Sequence, residues 1–373
     1  MPELPEVEVV RAGLEPAVTG ARIAEVRVLE PRSLRRHPGP SEDFIARLTG
    51  RHLTAAVRRG KFLWFPIAVP GAPVPRPSAS ASALSASAAS ASAPPPAALR
   101  EMQDDRTGTS AHPAAPVIDA SAPPAFLARA DARADARADA GAPEEALVAH
   151  LGMSGQMLLR APDAPAERLT RAQLLLEHPT HGPLRLDFVD QRIFGSLAID
   201  DLVVTRDGRA AGFAGASDAS DRIPAAVAHI ARDPLDPALD ERAALAALRR
   251  GSSVIKRVLL DQERLSGIGN IYADESLWAA RLHPEQPAST VSARKARELL
   301  EAVRAVLRKA LAEGGTSFDA QYVNVNGQSG YFSHSLNAYG QHGKACLRCG
   351  GVIIREQFMN RSSHFCPRCQ RLR

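Results

Sequence analysis

Apolar positions along this chain change their period more than once, and each change marks a boundary. Near the start, Val7, Val10, Leu14 and Val18 recur at steps of three and four residues, the pattern of one buried helical face. Pro5 suits the first turn of that helix, where its missing N–H is not needed, and Gly20 ends the pattern. Residues 23–29 (IAEVRVL) then alternate as a half-buried strand, and 62–69 (FLWFPIAV) form a second, more apolar one. Residues 146–159 (ALVAHLGMSGQMLL) predict two strands around a glycine-flanked Met-Ser turn. Leu174 to Leu176, and Leu184, Leu186 and Phe188 alternating with Arg185 and Asp187, predict more. Past Ile223 the period becomes helical over 240–250, 252–264, 272–281 and 291–313, the last stopped by Gly314 and Gly315. Strands, then helices, then a short cysteine-bearing tail predict an α+β multidomain chain.

Between residues 70 and 145 no period survives. Pro, Ala and Ser dominate, in SASASALSASAASASA, PPP and RADARADARADA, and such sequence buries too little apolar surface to offset its ordering entropy. We read it as a disordered insertion. The Arg-Ala-Asp-Ala repeat stacks like charges at four-residue spacing, which opposes a stable helix there.

Composition refines this outline. The chain has 373 residues and is 45% apolar, enough for a real core and for two or three domains. The formal charge is +5, but the insertion carries six basic and nine acidic residues, so the remainder holds +8. That surplus suits a polyanionic partner without establishing one. No apolar run approaches the ~18 residues of a membrane span, and the first residues lack the basic-then-apolar order of a secretory signal. A soluble intracellular protein without membrane contact is expected.

Candidate chemistry begins at MPELPEVE. If Met1 is removed, Pro2 presents a secondary amine that titrates near ~8, far below lysine, and is partly unprotonated at neutral pH. Glu3 stands beside it as proton donor or acceptor, and the positive end of the helix is expected to disfavour a protonated amine and to favour an ionised carboxylate. The plain alternative is an ordinary helix entry. Arg58, Arg59 and Lys61 bring three cations to a strand start, where lysines are usually solvated. Met153 sits at a turn tip, an odd place for a core residue. Arg192 and Phe194 are expected on one side of a strand, which suits either local packing or entry into a nucleic-acid stack. In Leu265-Ser266-Gly267-Ile268-Gly269-Asn270 the glycines let backbone N–H groups approach an anion and Asn270 can cap the next helix; a tight helix hairpin explains the same residues.

The tail is the most specific pattern. Cys346-x2-Cys349, sixteen residues, then Cys366-x2-Cys369 has the spacing of a four-thiolate zinc site, structural because no ligand position is left open. The segment 346–373 carries six arginines against one acid, with Arg361 expected at a hairpin tip.

Seven motifs, MPELPEVE, RRGKFLWF, HLGMSG, DQRIFG, LSGIGNIYADE, GGTSFDAQYVNVNGQSGYF and NRSSHFCPRCQ, stand in one order, and together they resemble the bacterial formamidopyrimidine-DNA glycosylases over all but residues 70–145. The resemblance implies an N-terminal β-sandwich with an N-terminal helix at 1–69 and 146–222, a helix-two-turn-helix domain at 223–335 and a zinc-finger hairpin at 336–373. It implies a bifunctional glycosylase and abasic-site lyase for oxidised purines, acting on damaged double-stranded DNA as a monomer in the bacterial cytoplasm, with one structural zinc. Pro2 would attack the anomeric carbon and form an imine, Glu3 would move the protons, Lys61 would serve the first elimination and Arg361 the final one. Lys256 and Asn270 match phosphate contacts. Met153, Arg192 and Phe194 match the trio that fills the gap left by an extruded lesion, and Thr316 to Asn326 with Tyr331 match the region that covers it. Two departures stand out: Ile193 replaces a second basic residue, and Arg171 is the nearest counterpart of a family histidine. An endonuclease VIII-like enzyme for oxidised pyrimidines is the rival within this chemistry, and a non-catalytic zinc-stabilised DNA-binding protein is the rival outside it.

Overall fold

The computed structural model describes residues 2–68, 143–215, 220–316 and 332–373. The insertion read at 70–145, except its last three residues, lies outside them, as do Tyr331 and the stretch 317–326.

The chain opens with helix α1 (Leu4–Val18), whose entry carries Pro5 and whose pattern stops at Thr19 and Gly20. The first lobe is a sheet in the order β10-β9-β5-β4-β2-β1-β7-β8-β6, with β3 paired to β4 beside that path. Its strands are β1 (Arg22–Val28), β2 (His52–Leu53), β3 (Val57–Arg59), β4 (Phe62–Ala68), β5 (Glu145–His150), β6 (Gly155–Arg160), β7 (Thr170–His178), β8 (Gly182–Asp190), β9 (Ser196–Val204) and β10 (Arg222–Pro224). Leu174, Leu176 and Leu186 from one half of the sheet, Leu147, Leu197 and Ile199 from the other, and Val7, Val10 and Leu14 of α1 share one core. The sheet therefore folds over α1 as a sandwich with a helix against it. The outer face of β4, β5 and β9 buries Trp64, Val148 and Leu202 against Ala211, Ile223 and Ile230.

The second lobe packs α3 (Glu241–Arg249), α4 (Ile255–Leu260), α5 (Asn270–Ala280) and α6 (Ala293–Ala312) around a core of their own. Leu4, the first residue of α1, belongs to this second core. One helix thus enters both lobes, its first turn in one and its remaining length in the other. The tail forms β11 (Ile354–Phe358) and β12 (Arg361–Phe365), an antiparallel pair whose turn uses Met359 at φ 53°.

Most periodic segments became the expected elements, but α4 stops at Leu260 instead of continuing to 264. The Asp261 carboxylate accepts from the Glu263 N–H at 3.1 Å and the Asp261 carbonyl accepts from the Arg264 and Leu265 N–H groups, so a local turn replaces the last helical turn. Helix α2 (Ser41–Leu48) and strand β9 were not expected. Adjacent Asp200 and Asp201 interrupt the alternation of β9; Asp200 there accepts from the Ala226 N–H at 2.7 Å.

Candidate active site

Three segments converge where the lobes meet: the entry of α1, the β3–β4 turn and the entry of α5. The Leu4 N–H donates to the Gly267 carbonyl at 2.9 Å, which fixes Pro2 and Glu3 against the Gly267–Gly269 segment. Pro2 is buried, and Glu3 is 2% exposed. The Glu3 carboxylate accepts from the backbone N–H groups of Gly269 at 2.5 Å, Ile271 at 3.0 Å and Tyr272 at 3.4 Å. These are the free donors of a helix N-terminus, so Glu3 caps α5 from the other end of the sequence. Gly269 has no room for a side chain, since a Cβ there would strike that carboxylate. Asn270, expected as the cap, is instead the first helical residue, with Gly269 in the cap position. Its amide donates to the Ser362 carbonyl at 3.0 Å.

The expected preference for an ionised Glu3 is reversed. Burial outweighs Lys61 and the backbone donors and raises the Glu3 pKa from 4.5 to about 7. A carboxyl half-protonated near neutrality can both give and take a proton. Glu6, which sequence reading passed over, completes this corner. It accepts from the Glu3 N–H at 2.8 Å, the Tyr272 hydroxyl at 2.5 Å, and the Thr316 N–H and hydroxyl, each at 2.8 Å. The first turn of α1 is thereby tied to α5 and to Thr316, four residues past the end of α6.

Lys61 is partly buried and donates to the Ile268 carbonyl at 2.7 Å. Burial lowers its pKa, Glu3 opposes that shift and Arg361 adds to it. Lys61, Glu3 and Arg361 therefore share one field. Arg361 is exposed at the start of β12, directly across from Phe358; the hairpin tip itself is Met359–Asn360, so Arg361 flanks the turn instead of forming it.

Lys256 does not occupy an open phosphate groove. It is fully buried, and its ammonium meets Asp274 at 2.6 Å, the Ser362 carbonyl at 2.9 Å and the Ser363 hydroxyl at 2.8 Å. All three of its donors are used within the protein. Asp274 also accepts from the His364 N–H at 2.9 Å. Lys256, Asn270 and Asp274 together hold β12 against α4 and α5.

A second group lies at the rim of the first lobe. Met153 and Phe194 are half exposed, and Arg192 is exposed. Arg192 and Phe194 stand in a loop after β8, not on a strand, with Ile193 between them at φ 55°. Asp190 accepts from the Ser154 hydroxyl at 2.6 Å, the Arg192 N–H at 3.1 Å and the Gly195 N–H at 2.6 Å. Arg35 donates to the carbonyls of Ile193, Phe194 and Gly195. Arg171 donates to the Asp190 carbonyl at 2.7 Å. His150 accepts from the Gly152 N–H at 3.1 Å, and burial with nearby Arg36, Arg35 and Lys61 lowers its pKa to about 4. The Met153 turn and the Phe194 loop are thus rigid mounts for exposed apolar tips. Arg35 gave no sequence signal, because it acts on backbone about 160 positions away; Asp190 and His150 stand in the quoted motifs, but nothing there showed that they brace these loops.

The Sγ atoms of Cys346, Cys349, Cys366 and Cys369 lie within 4.8 Å of one another, which fits four thiolates around one tetrahedral zinc. Trp278 donates to Cys346 Sγ at 3.4 Å, and Arg348 stacks on its indole at 4.1 Å. This finger holds one structural zinc, anchored on α5 by Trp278.

Three family models cover most of the chain. The formamidopyrimidine-DNA glycosylase N-terminal domain matches residues 1–83 and 127–197, the H2TH domain of the same enzymes matches 230–321, and the zinc finger found in FPG and IleRS matches 343–372. The formamidopyrimidine-DNA glycosylase of Leifsonia xyli subsp. xyli is 50% identical over 372 residues, the whole of both chains. That of Nocardioides sp. is 45% identical over 99% of this chain and 94% of its own. Among solved structures, Lactococcus lactis Fpg in complex with abasic-site DNA has a TM-score of 0.65 at 24% identity, covering 99% of each chain. The same enzyme with N7-benzyl-Fapy-dG DNA has a TM-score of 0.66 at 24% identity, covering 99% of this chain and 100% of that one.

Proposed function

The chain belongs to the formamidopyrimidine-DNA glycosylase family, and from that premise we propose that it excises 8-oxoguanine and formamidopyrimidines through Pro2 and then cuts the strand. It is a DNA glycosylase of base-excision repair. The observation that carries the residue assignment is the Glu3 carboxyl, buried at the α5 N-terminus next to Pro2 and poised near pH 7.

In this reading the unprotonated Pro2 amine attacks C1′ of the damaged nucleotide, and the base departs with the electron pair of the glycosidic bond. Glu3 supplies a proton to the departing base or opening ring and takes one back as the imine forms. The imine acidifies the C2′ proton. Its removal expels the 3′ phosphate, and a second elimination expels the 5′ phosphate. Lys61 beside Glu3 serves the first of these steps, and Arg361 in the same field serves the second. Both cations also suit phosphate binding. Met153, Arg192 and Phe194 enter the duplex at the extruded nucleotide, where inserted side chains recover part of the few kcal/mol that extrusion costs. Arg171 supports the loop of Arg192 and Phe194 through the Asp190 carbonyl, and Asn270 holds the zinc-finger hairpin through the Ser362 carbonyl. The zinc finger presents Arg361 to the strand, and damaged duplex DNA lies between the lobes.

Borohydride trapping tests the assignment. Native protein with an exposed Pro2 should form a covalent adduct on 8-oxoguanine DNA, and Pro2→Gly should form none. Base release without any trappable adduct would refute it. Excision should favour oxidised guanine opposite cytosine over thymine glycol in duplex oligonucleotides.

A further inference from the structure

The proposed mechanism leaves one charged cluster unused. Arg58 (1% exposed), Glu8 (3%) and Asp233 (2%) are buried together between the lobes. Arg58 donates to Glu8 of α1 at 2.8 Å, to Asp233 at 2.9 Å and to the Gly60 carbonyl at 3.2 Å. The same Asp233 oxygen faces the Gly60 N–H at 3.4 Å. Asp233 lies in the segment matched by the H2TH domain, whereas Arg58 and Gly60 belong to the β3–β4 hairpin. Both polar groups of Gly60 are therefore gripped from the buried cluster, and Lys61 is the next residue.

That grip matters because the turn is crowded and conformationally special. Gly60 stands at φ 56°, and a Cβ there would come within 2.7 Å of the Ser266 hydroxyl. The turn is pressed onto the Ser266–Gly267 backbone, from which Lys61 reaches the Ile268 carbonyl at 2.7 Å. A long, flexible side chain gains a defined ammonium position only if its own backbone is fixed.

We propose that Asp233 is a positioning residue for Lys61: from the second lobe it locks the Gly60 turn, through its carboxylate and through Arg58, and so sets where the Lys61 ammonium stands during strand cutting. A charge cluster serving stability alone would lower folding without singling out a step. A positioning role makes the loss specific to the step that Lys61 serves. The inference rests on the proposed elimination role of Lys61, and the experiment separates the two.

Six proteins are compared on abasic-site duplex in single-turnover conditions: native, Lys61→Ala, and Asp233→Ala and Asp233→Asn each alone and combined with Lys61→Ala. Strand cutting and borohydride-trapped imine are both measured. Asp233→Ala should cut at least tenfold more slowly while its trapped yield stays within threefold of native. In the Lys61→Ala background the same substitution should change cutting by less than twofold. Asp233→Asn, whose amide oxygen still accepts from the Gly60 N–H, should restore cutting to within about threefold of native, and that residual loss should also vanish in the Lys61→Ala background. If Asp233→Ala does not fold, the Asp233→Asn cycle decides. Native cutting rates in the Asp233 variants, an undiminished loss in the Lys61→Ala background, or trapping that falls in step with cutting would overturn the positioning role. Native cutting by Lys61→Ala would overturn the reading of Lys61 instead.

Discussion

Glu3 carries the clearest consequence at the scale of a single residue. Its pKa rises on folding from 4.5 to about 7, so between those values the folded state binds more proton than the unfolded chain. Stability is therefore lost as pH rises through this window, and the penalty is complete above it. At ~1.4 kcal/mol per pH unit the cost reaches roughly 3 kcal/mol. The native protein should accordingly lose a few kcal/mol of stability between pH 4.5 and pH 8 that Glu3→Gln does not lose, as urea unfolding of both at both pH values would show. The same variant should lose base excision, since the amide has no proton to give as an acid. MPELPEVE disclosed which residues meet, but it gave the wrong sign for the carboxyl. The sequence displays the field of its own helix; it does not display the burial, or that the donors Glu3 satisfies belong to α5.

Among the elements, α5 is the member on which the site is assembled. Glu3 closes its first turn, Asp274 and Asn270 hold β12 from its side, and Trp278 braces a zinc ligand near its end. Lys256, buried against Asp274 and the β12 backbone, belongs to the same clamp. Lys256→Met strips a buried ion of its partner, a change that costs about 3 kcal/mol or more. Guanidinium unfolding should register that loss, with faster hydrogen exchange at Ser363 and His364 and zinc content unchanged. Cys366→Ser should do the opposite, releasing metal and weakening DNA binding while the far-ultraviolet signal of the sheet lobe persists. The finger was legible because four cysteines at fixed spacing admit few other chemistries. Lys256 was misplaced because spacing reports which residues recur together, not which way a side chain turns, and its three acceptors come from β12 and α5.

For the whole molecule, two lobes meet through α1, whose Leu4 sits in one core and whose Val7 and Val10 sit in the other. Period and turn residues revealed the lobes and their order. They could not reveal the meeting point, which depends on contacts between residues hundreds of positions apart. With a net +8 outside residues 70–145, specific binding should weaken steeply with salt. A log–log slope of about −3.6 or steeper is expected in fluorescence titrations if at least four phosphates are neutralised. Phe194→Ala should weaken lesion binding several-fold without altering the melting temperature, because Phe194 is half exposed and its loop is held by backbone contacts to Arg35 and Asp190. The cap of α5 has a temporal side as well. The carboxylate that finishes the first turn of this helix is synthesised 266 positions before Gly269, so on the ribosome that cap needs no later residue, whereas Glu3 waits for most of the chain. A nascent polypeptide lacking α5 has none of the three N–H donors that meet Glu3, so this corner closes only once translation has delivered the other lobe.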